Sequence, residues 1–146
     1  MVETARSSGR PVVAHTSTPE GRRRAVLAGV ETIEYGDEGT AEVFKLMDKR
    51  GVALCPALAA GDAVAQYRGW KKGTDAEPTR ITAKRTSFKA VLSAGVTVIA
   101  GSDVGVFAHD DNASELEMMV EYGSHQPRHW PLRLPSAPKC CSWMTK

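Results

Sequence analysis

Four positions carry side chains able to ligate a metal or move a proton, and all four stand at the end of a short apolar run: His15, Glu34 with Tyr35, Cys55, and Asp103. A His and an Asp on different strands, converging on one mouth, could bind a divalent metal and leave positions open for water. Water bound there, with its pKa lowered, attacks a carbonyl, and the Asp takes up its proton. Each residue also has a plain structural use. Asp103 can cap a turn through an Asx hydrogen bond, Cys55 can serve as a small buried hydrophobe, and Tyr35 can pack its ring with its hydroxyl toward water or a neighbour.

One repeated unit would have to position these residues. An amphipathic helix ends at Gly and runs at once into a short strand, as in "AVLAGVETI", "MDKRGVAL" and "VLSAGVTVI". Gly29, Gly51 and Gly95 stand where a helix C-terminus takes the left-handed conformation. An earlier strand, "PVVAH", follows Gly9 in a similar way. Helix faces are readable at i, i+3, i+4: Val43, Leu46, Met47; Phe88, Val91, Leu92; and Leu116, Met119, Val120. Thr18-Pro19-Glu20 and Thr40 mark helix starts, and Asn112 with Glu115 three residues later predicts a capping box.

The order is therefore strand and helix in alternation, with about four strands apolar on both faces. That is the pattern of parallel strands buried on both sides, in a doubly wound sheet or part of a barrel. The stretch 59–80 reads as a longer insertion after the third strand, on the side where α/β enzymes place substrate-facing loops. Tyr67 and Trp70 in it are candidates for packing on a substrate.

With 146 residues the chain has material for one domain. Its 42% hydrophobic and 25% charged residues describe a globular protein rather than a disordered one. A net charge of +2 is too small to point to nucleic acid, and no apolar run is long enough to span a bilayer. The N-terminus lacks a signal-peptide core, and Cys55, Cys140 and Cys141 are an odd set with two adjacent members. That argues against a secreted disulfide framework, so the expected location is cytoplasmic. Residues 124–146 change character: prolines at 127, 131, 135 and 138 exclude a long helix, and an irregular Pro-rich tail is expected after a domain at 1–123. His125, His129, Cys140 and Cys141 include zinc-ligand types, but adjacent cysteines lack the spacer that turns both thiolates to one ion.

Three segments, "VVAHTSTPEGRRRAVLAGVETIEYGDEGT", "LMDKRGVALCPALAA" and "KRTSFKAVLSAGVTVIAGSDVGVFAHDDNASELEMMVEYG", together resemble the metal-dependent amidohydrolase superfamily, in its imidazolonepropionase and Xaa-Pro dipeptidase-like branch. The resemblance runs over about residues 1–123. It implies a TIM-type (β/α) barrel of which this chain holds about half, and hydrolysis of a C–N bond in an amide, cyclic amide or dipeptide-like small molecule. It implies a divalent metal, zinc foremost. By motif, "VVAH" is similar to the family's fifth strand, which makes His15 a metal ligand, and "GSD" to its eighth, which makes Asp103 both metal ligand and proton acceptor. His109 matches a position near the substrate loop. In "IEYG" the family pattern has His where this chain has Tyr35, so Tyr35 faces substrate at a position built for a ligand.

No H-x-H pair occurs, and the family's first four strands have no counterpart here. A half barrel has two unpaired strand edges and an uncovered inner face, for which Val13, Ile33, Leu54 and Val98 are the candidates. A homo-oligomer or a separately supplied N-terminal half is expected to cover them, with neither nucleic acid nor membrane as a partner. Two copies closing one barrel would duplicate His15 and Asp103 without supplying the family's ligand set. The competing expectation is a non-catalytic half-barrel remnant acting as an oligomerising or binding module.

Overall fold

The four Thr and Gly signals flanking α2 (Pro19–Ala28) and α3 (Ala41–Arg50) are realised in the computed structural model, which describes residues 1–124. The tail expected at 124–146 therefore lies outside the described residues except for Ser124, and so do His125, His129, Cys140 and Cys141. Helix α2 (Pro19–Ala28) starts at Thr18, whose hydroxyl accepts the Gly21 N–H at 3.1 Å, and Thr40 caps α3 (Ala41–Arg50) through the Val43 N–H. Gly29 and Gly51 end these helices at φ 89° and 64°, a conformation that costs glycine nothing and leads straight into a strand.

Three parallel strands form one sheet in the order β1 (Val13–His15), β2 (Thr32–Glu34), β3 (Ala53–Cys55). The register aligns His15 with Glu34 and Glu34 with Cys55, so three chemically able residues stand in one row at the carboxyl edge. The expected fourth strand makes one parallel bridge, Leu54 to Val98. Its ladder stops there after two bonds, Leu54 N–H to Thr97 O and Ile99 N–H to Leu54 O, and the chain leaves through Gly101 into a loop. The architecture is α/β with three strands and a bridged fourth segment.

Two packed clusters hold these elements. Ile33, Phe44, Met47, Leu54 and Val91, all fully buried, join the sheet to α2, α3 and α5 (Thr79–Ser93). Each such side chain contributes about 1.5–3 kcal/mol by leaving water. The second cluster, with Leu58, Phe88, Met118, Met119 and Tyr122, ties α4 (Leu58–Tyr67) and α5 to α6 (Ser114–Glu121). The remaining short helices are α1 (Val2–Ser7) and a 3-10 turn at His109–Asp111.

Four expectations need correction. The stretch 59–80 is not a plain insertion loop, because its first part folds as α4, where the run Leu58–Asp62 is buried. Of the four residues expected on an uncovered face, Ile33 and Leu54 are fully buried under helices and Val98 is half-buried, whereas Val13 is 53% exposed at the sheet edge. The buried face of α6 is Glu115, Met118, Met119 and Tyr122, and Val120 points outward. The capping box at its start does not form. Asn112 is instead bonded by the Ser102 hydroxyl, and the Glu115 carboxylate accepts the Ala59 N–H from α4 at 2.7 Å. A buried amide on a neighbouring helix outcompetes the exposed local donor that a capping box would satisfy.

Candidate active site

Because the strands are parallel, their carboxyl ends share one edge, and the residue after each strand decides what that edge presents. Tyr35 follows β2 with φ 71°, in the left-handed region, and its N–H is held by the Cys55 carbonyl at 2.8 Å. The turn swings its ring beside His15, with ring centroids 4.4 Å apart and planes inclined by 38°. Asp103, at φ 59°, is also left-handed, and the Tyr35 hydroxyl donates to its carboxylate. His15, Tyr35 and Asp103 thus form one contiguous row, although Tyr35 and Asp103 are 68 residues apart. Glu38 and Ala57, at φ 50° and 46°, share this backbone class in the loops after β2 and β3. Left-handed non-glycine residues cost about 1 kcal/mol or more each, and they collect where the surroundings fix them, at functional edges above all.

The electrostatics of the row favour neutral donors. Burial and the hydrogen bond to Asp103 push the Tyr35 phenol above its ordinary value, so it keeps its proton at neutral pH. Burial likewise pushes the Cys55 thiol up, reinforced by Glu34, and its Sγ lies 3.3 Å from the Gly101 carbonyl. A thiol held in this way is a poor nucleophile.

Beneath the row lies a polar support that the sequence analysis did not single out. Arg22, fully buried, donates to the carbonyls of Tyr35 at 3.2 Å and Asp37 at 2.8 Å. Lys84, 3% exposed, bonds the Ala57 carbonyl at 2.8 Å, pairs with Asp37 at 3.0 Å and stands 5.2 Å from the Tyr35 ring centroid. Gly61 makes room for it, since a Cβ there would lie 3.0 Å from the ammonium. The turns carrying Tyr35 and Ala57 are thereby fixed by cations from two different helices.

The remaining candidates are not gathered into the row. His109 sits exposed in the 3-10 turn. Tyr67, 76% exposed, borders a hollow of about 610 Å³ with Asp62, Gln66, Lys72 and Phe107, and neither His15 nor Asp103 lines it. Trp70 is half-buried in the loop after α4. A second hollow of about 600 Å³ adjoins Asp103 and is bounded by Ser102, Asn112 and Glu115.

Glu115 is 1% exposed, and its Oε1 has no hydrogen-bond partner. Burial pushes its carboxyl above the ordinary range, opposed by the N–H groups of Ala59 and Leu58. A folded pKa above the unfolded value means that this group's contribution is fully present below about pH 4.3 and is lost as pH rises through the folded value. As pH rises above about 4.3, thermal unfolding should therefore show the wild-type chain losing stability relative to Glu115→Gln, which lacks this titration.

No protein-family model matches the chain. An uncharacterized protein of Mycobacterium tuberculosis is 28% identical over 130 residues, which are 84% of this chain and 34% of the relative. The ochratoxinase of Aspergillus niger is 26% identical over 134 residues, 87% of this chain and 27% of the enzyme. Among solved structures, a Xaa-Pro dipeptidase with methionine bound in its active site superposes with a TM-score of 0.73 at 31% identity, over 84% of this chain and 31% of the other. The similarity fits a partial domain of the amidohydrolase superfamily, as the sequence resemblance implied. The chain spans about a third of the length of the proteins it matches.

The resemblance implies a divalent metal, and the described residues do not fit one. Among the described residues no three His, Cys, Asp or Glu side chains form a group able to hold an ion. The Asp103 carboxylate is engaged by Tyr35, and burial pushes the Cys55 thiol up, away from the thiolate form. Among the described residues no helix is long and apolar enough to cross a membrane.

Proposed function

We propose that this chain is the portion of an amidohydrolase-type hydrolase that carries the proton-accepting carboxylate, Asp103, with His15 on the same edge across Tyr35. In this reading, cleavage of an amide or cyclic amide C–N bond in a small molecule requires strands and ligands from another segment. The single observation supporting it is the convergence of His15, Tyr35 and Asp103 from three parallel elements at one carboxyl edge. In a completed site Asp103 takes the proton of the attacking water, after the Tyr35 hydroxyl has released it to substrate or solvent. His15 lies on β1, the edge strand, where the exposed Val13 marks the free rim at which a completing strand would pair. The completing piece is a different segment rather than a second copy, since a copy would add only another His15 and Asp103.

The test is turnover of Xaa-Pro dipeptides, N-acyl amino acids and a cyclic amide. We expect none from the chain by itself. Mixing it with a polypeptide bearing the H-x-H strand of a related barrel should give turnover that falls at least 100-fold in Asp103→Asn, about the loss of a general base. Turnover indifferent to that substitution would refute the assignment. A second reading, a non-catalytic binding module, draws support from the Tyr35 hydroxyl occupying Asp103, and it foresees no turnover in any complemented mixture.

A further inference from the structure

We infer that Tyr35 fills the seat of a missing ligand and closes this chain's rim to divalent ions, and that the single change Tyr35→His opens a three-ligand site with His15 and Asp103. The inference rests on the amidohydrolase-type reading of the edge.

The geometry supplies most of it. Tyr35 lies between the other two residues, its ring 4.4 Å from the His15 ring and its hydroxyl on the Asp103 carboxylate. Its place is fixed from several sides. The backbone is held in a left-handed turn by the Cys55 carbonyl, the residue's own carbonyl is held by buried Arg22, and the Lys84 ammonium stands 5.2 Å from the ring centroid. These contacts fix the turn from which the ring projects, and the hydrogen bond to Asp103 holds its hydroxyl end. The Lys84 charge is answered by Asp37 at 3.0 Å, so the support itself adds little repulsion toward a cation at the edge.

The chemistry supplies the rest. A phenol that spends its proton on Asp103 occupies an oxygen that would otherwise face the ion and presents no strong lone pair in exchange. A neutral imidazole presents one, with metal–nitrogen distances of about 2.0–2.1 Å. Replacing the phenol by imidazole therefore frees Asp103 and adds a donor next to His15, making a His–His–Asp set. Two residues, His15 and Asp103, are one ligand short of that set.

The experiment titrates Zn²⁺ alone into the purified full-length chain by calorimetry, with Co²⁺ absorption as a report on coordination. The binding counted is the part lost when Asp103→Ala is introduced, which sets aside any ion held elsewhere in the chain. We expect no such equivalent in the wild type. In Tyr35→His we expect one equivalent per chain, at least tenfold tighter than in the wild type, with visible Co²⁺ bands. Tyr35→Phe should bind as poorly as the wild type, since it frees the carboxylate without adding a ligand.

An Asp103-dependent equivalent in the wild type overturns the inference. So does a Tyr35→His protein that melts cooperatively yet binds no better than the wild type, or a Tyr35→Phe protein that binds as tightly as Tyr35→His. Should Tyr35→His fail to fold, an Asp103-dependent equivalent in the wild type still overturns the inference, and so does Asp103-dependent binding in Tyr35→Phe tighter than in the wild type. None of these readouts depends on turnover, so the hydrolase proposal stands or falls separately on the complementation assay.

Discussion

Lys84→Met is expected to lower the unfolding free energy by about 3–5 kcal/mol, the usual cost of breaking a buried ion pair by removing one partner. The substitution keeps the aliphatic stem and deletes the ammonium. It leaves Asp37, a buried carboxylate, with Arg80 at 3.1 Å as its cation, and Arg80 is itself more than half exposed. It also strips the Ala57 carbonyl of the donor that holds the left-handed turn after β3. Urea denaturation checks the magnitude. A double-mutant cycle with Asp37→Asn should show the double variant to be less unstable than the sum of the singles, because the orphaned charge is then gone.

The same pair has a pH signature. Burial pushes the Asp37 carboxyl up, but Lys84 and Arg80 outweigh it and hold the group below its usual value. A depressed folded pKa gives stability that is present above the unfolded value, about 3.9, and is lost as pH falls through the folded one. Without Lys84 the downward pull weakens, so in Lys84→Met the acid-side loss should keep its onset near the unfolded value but be smaller and end at higher pH. An acid limb unchanged from the wild type would show that Asp37 is not held by Lys84.

Arg22→Met should cost about 3 kcal/mol, from two buried carbonyls each losing a charged donor at about 1–3 kcal/mol. The carbonyls are those of Tyr35 and Asp37, so the damage falls on the turn that aims the Tyr35 ring. The guanidinium also lies 5.6 Å from the centre of the Phe44 ring, a contact that methionine replaces in part. Denaturation gives the magnitude, and amide hydrogen exchange gives the location. Protection should drop first at Tyr35, whose N–H is bonded to Cys55. A loss confined to α2 would mean that Arg22 serves the helix and not the edge.

Arg22 shows why the support was not legible in sequence. It opens the run Arg22-Arg23-Arg24, which reads as a solvated basic face. Arg23 and Arg24 do behave that way, both pairing with exposed Glu20. Successive residues on a helix are about 100° apart, so the first of the three turns inward. Its burial is tolerable because two loop carbonyls from the β2 turn happen to meet it, and no local spacing encodes that. Glu115 carries the same lesson at the start of α6. Its spacing from Asn112 matched a capping box, but the Ala59 N–H on another helix took the carboxylate.

The sequence by itself determined the alternation of strand and helix, the capped starts at Thr18 and Thr40, the left-handed stops at Gly29 and Gly51, and the placing of His15 at a strand end. These depend on neighbours within a turn or two of chain, whose dihedral and hydrogen-bond preferences act locally. Tertiary structure decided that the Asp103 carboxylate goes to Tyr35 rather than standing free, that buried Arg22 and Lys84 hold the turns beneath, and that the segment after α5 bridges β3 at one point without extending the sheet. Those outcomes depend on which distant polar groups become neighbours once water is excluded. Burial makes each unpaired group costly, and packing fixes which partner lies within reach.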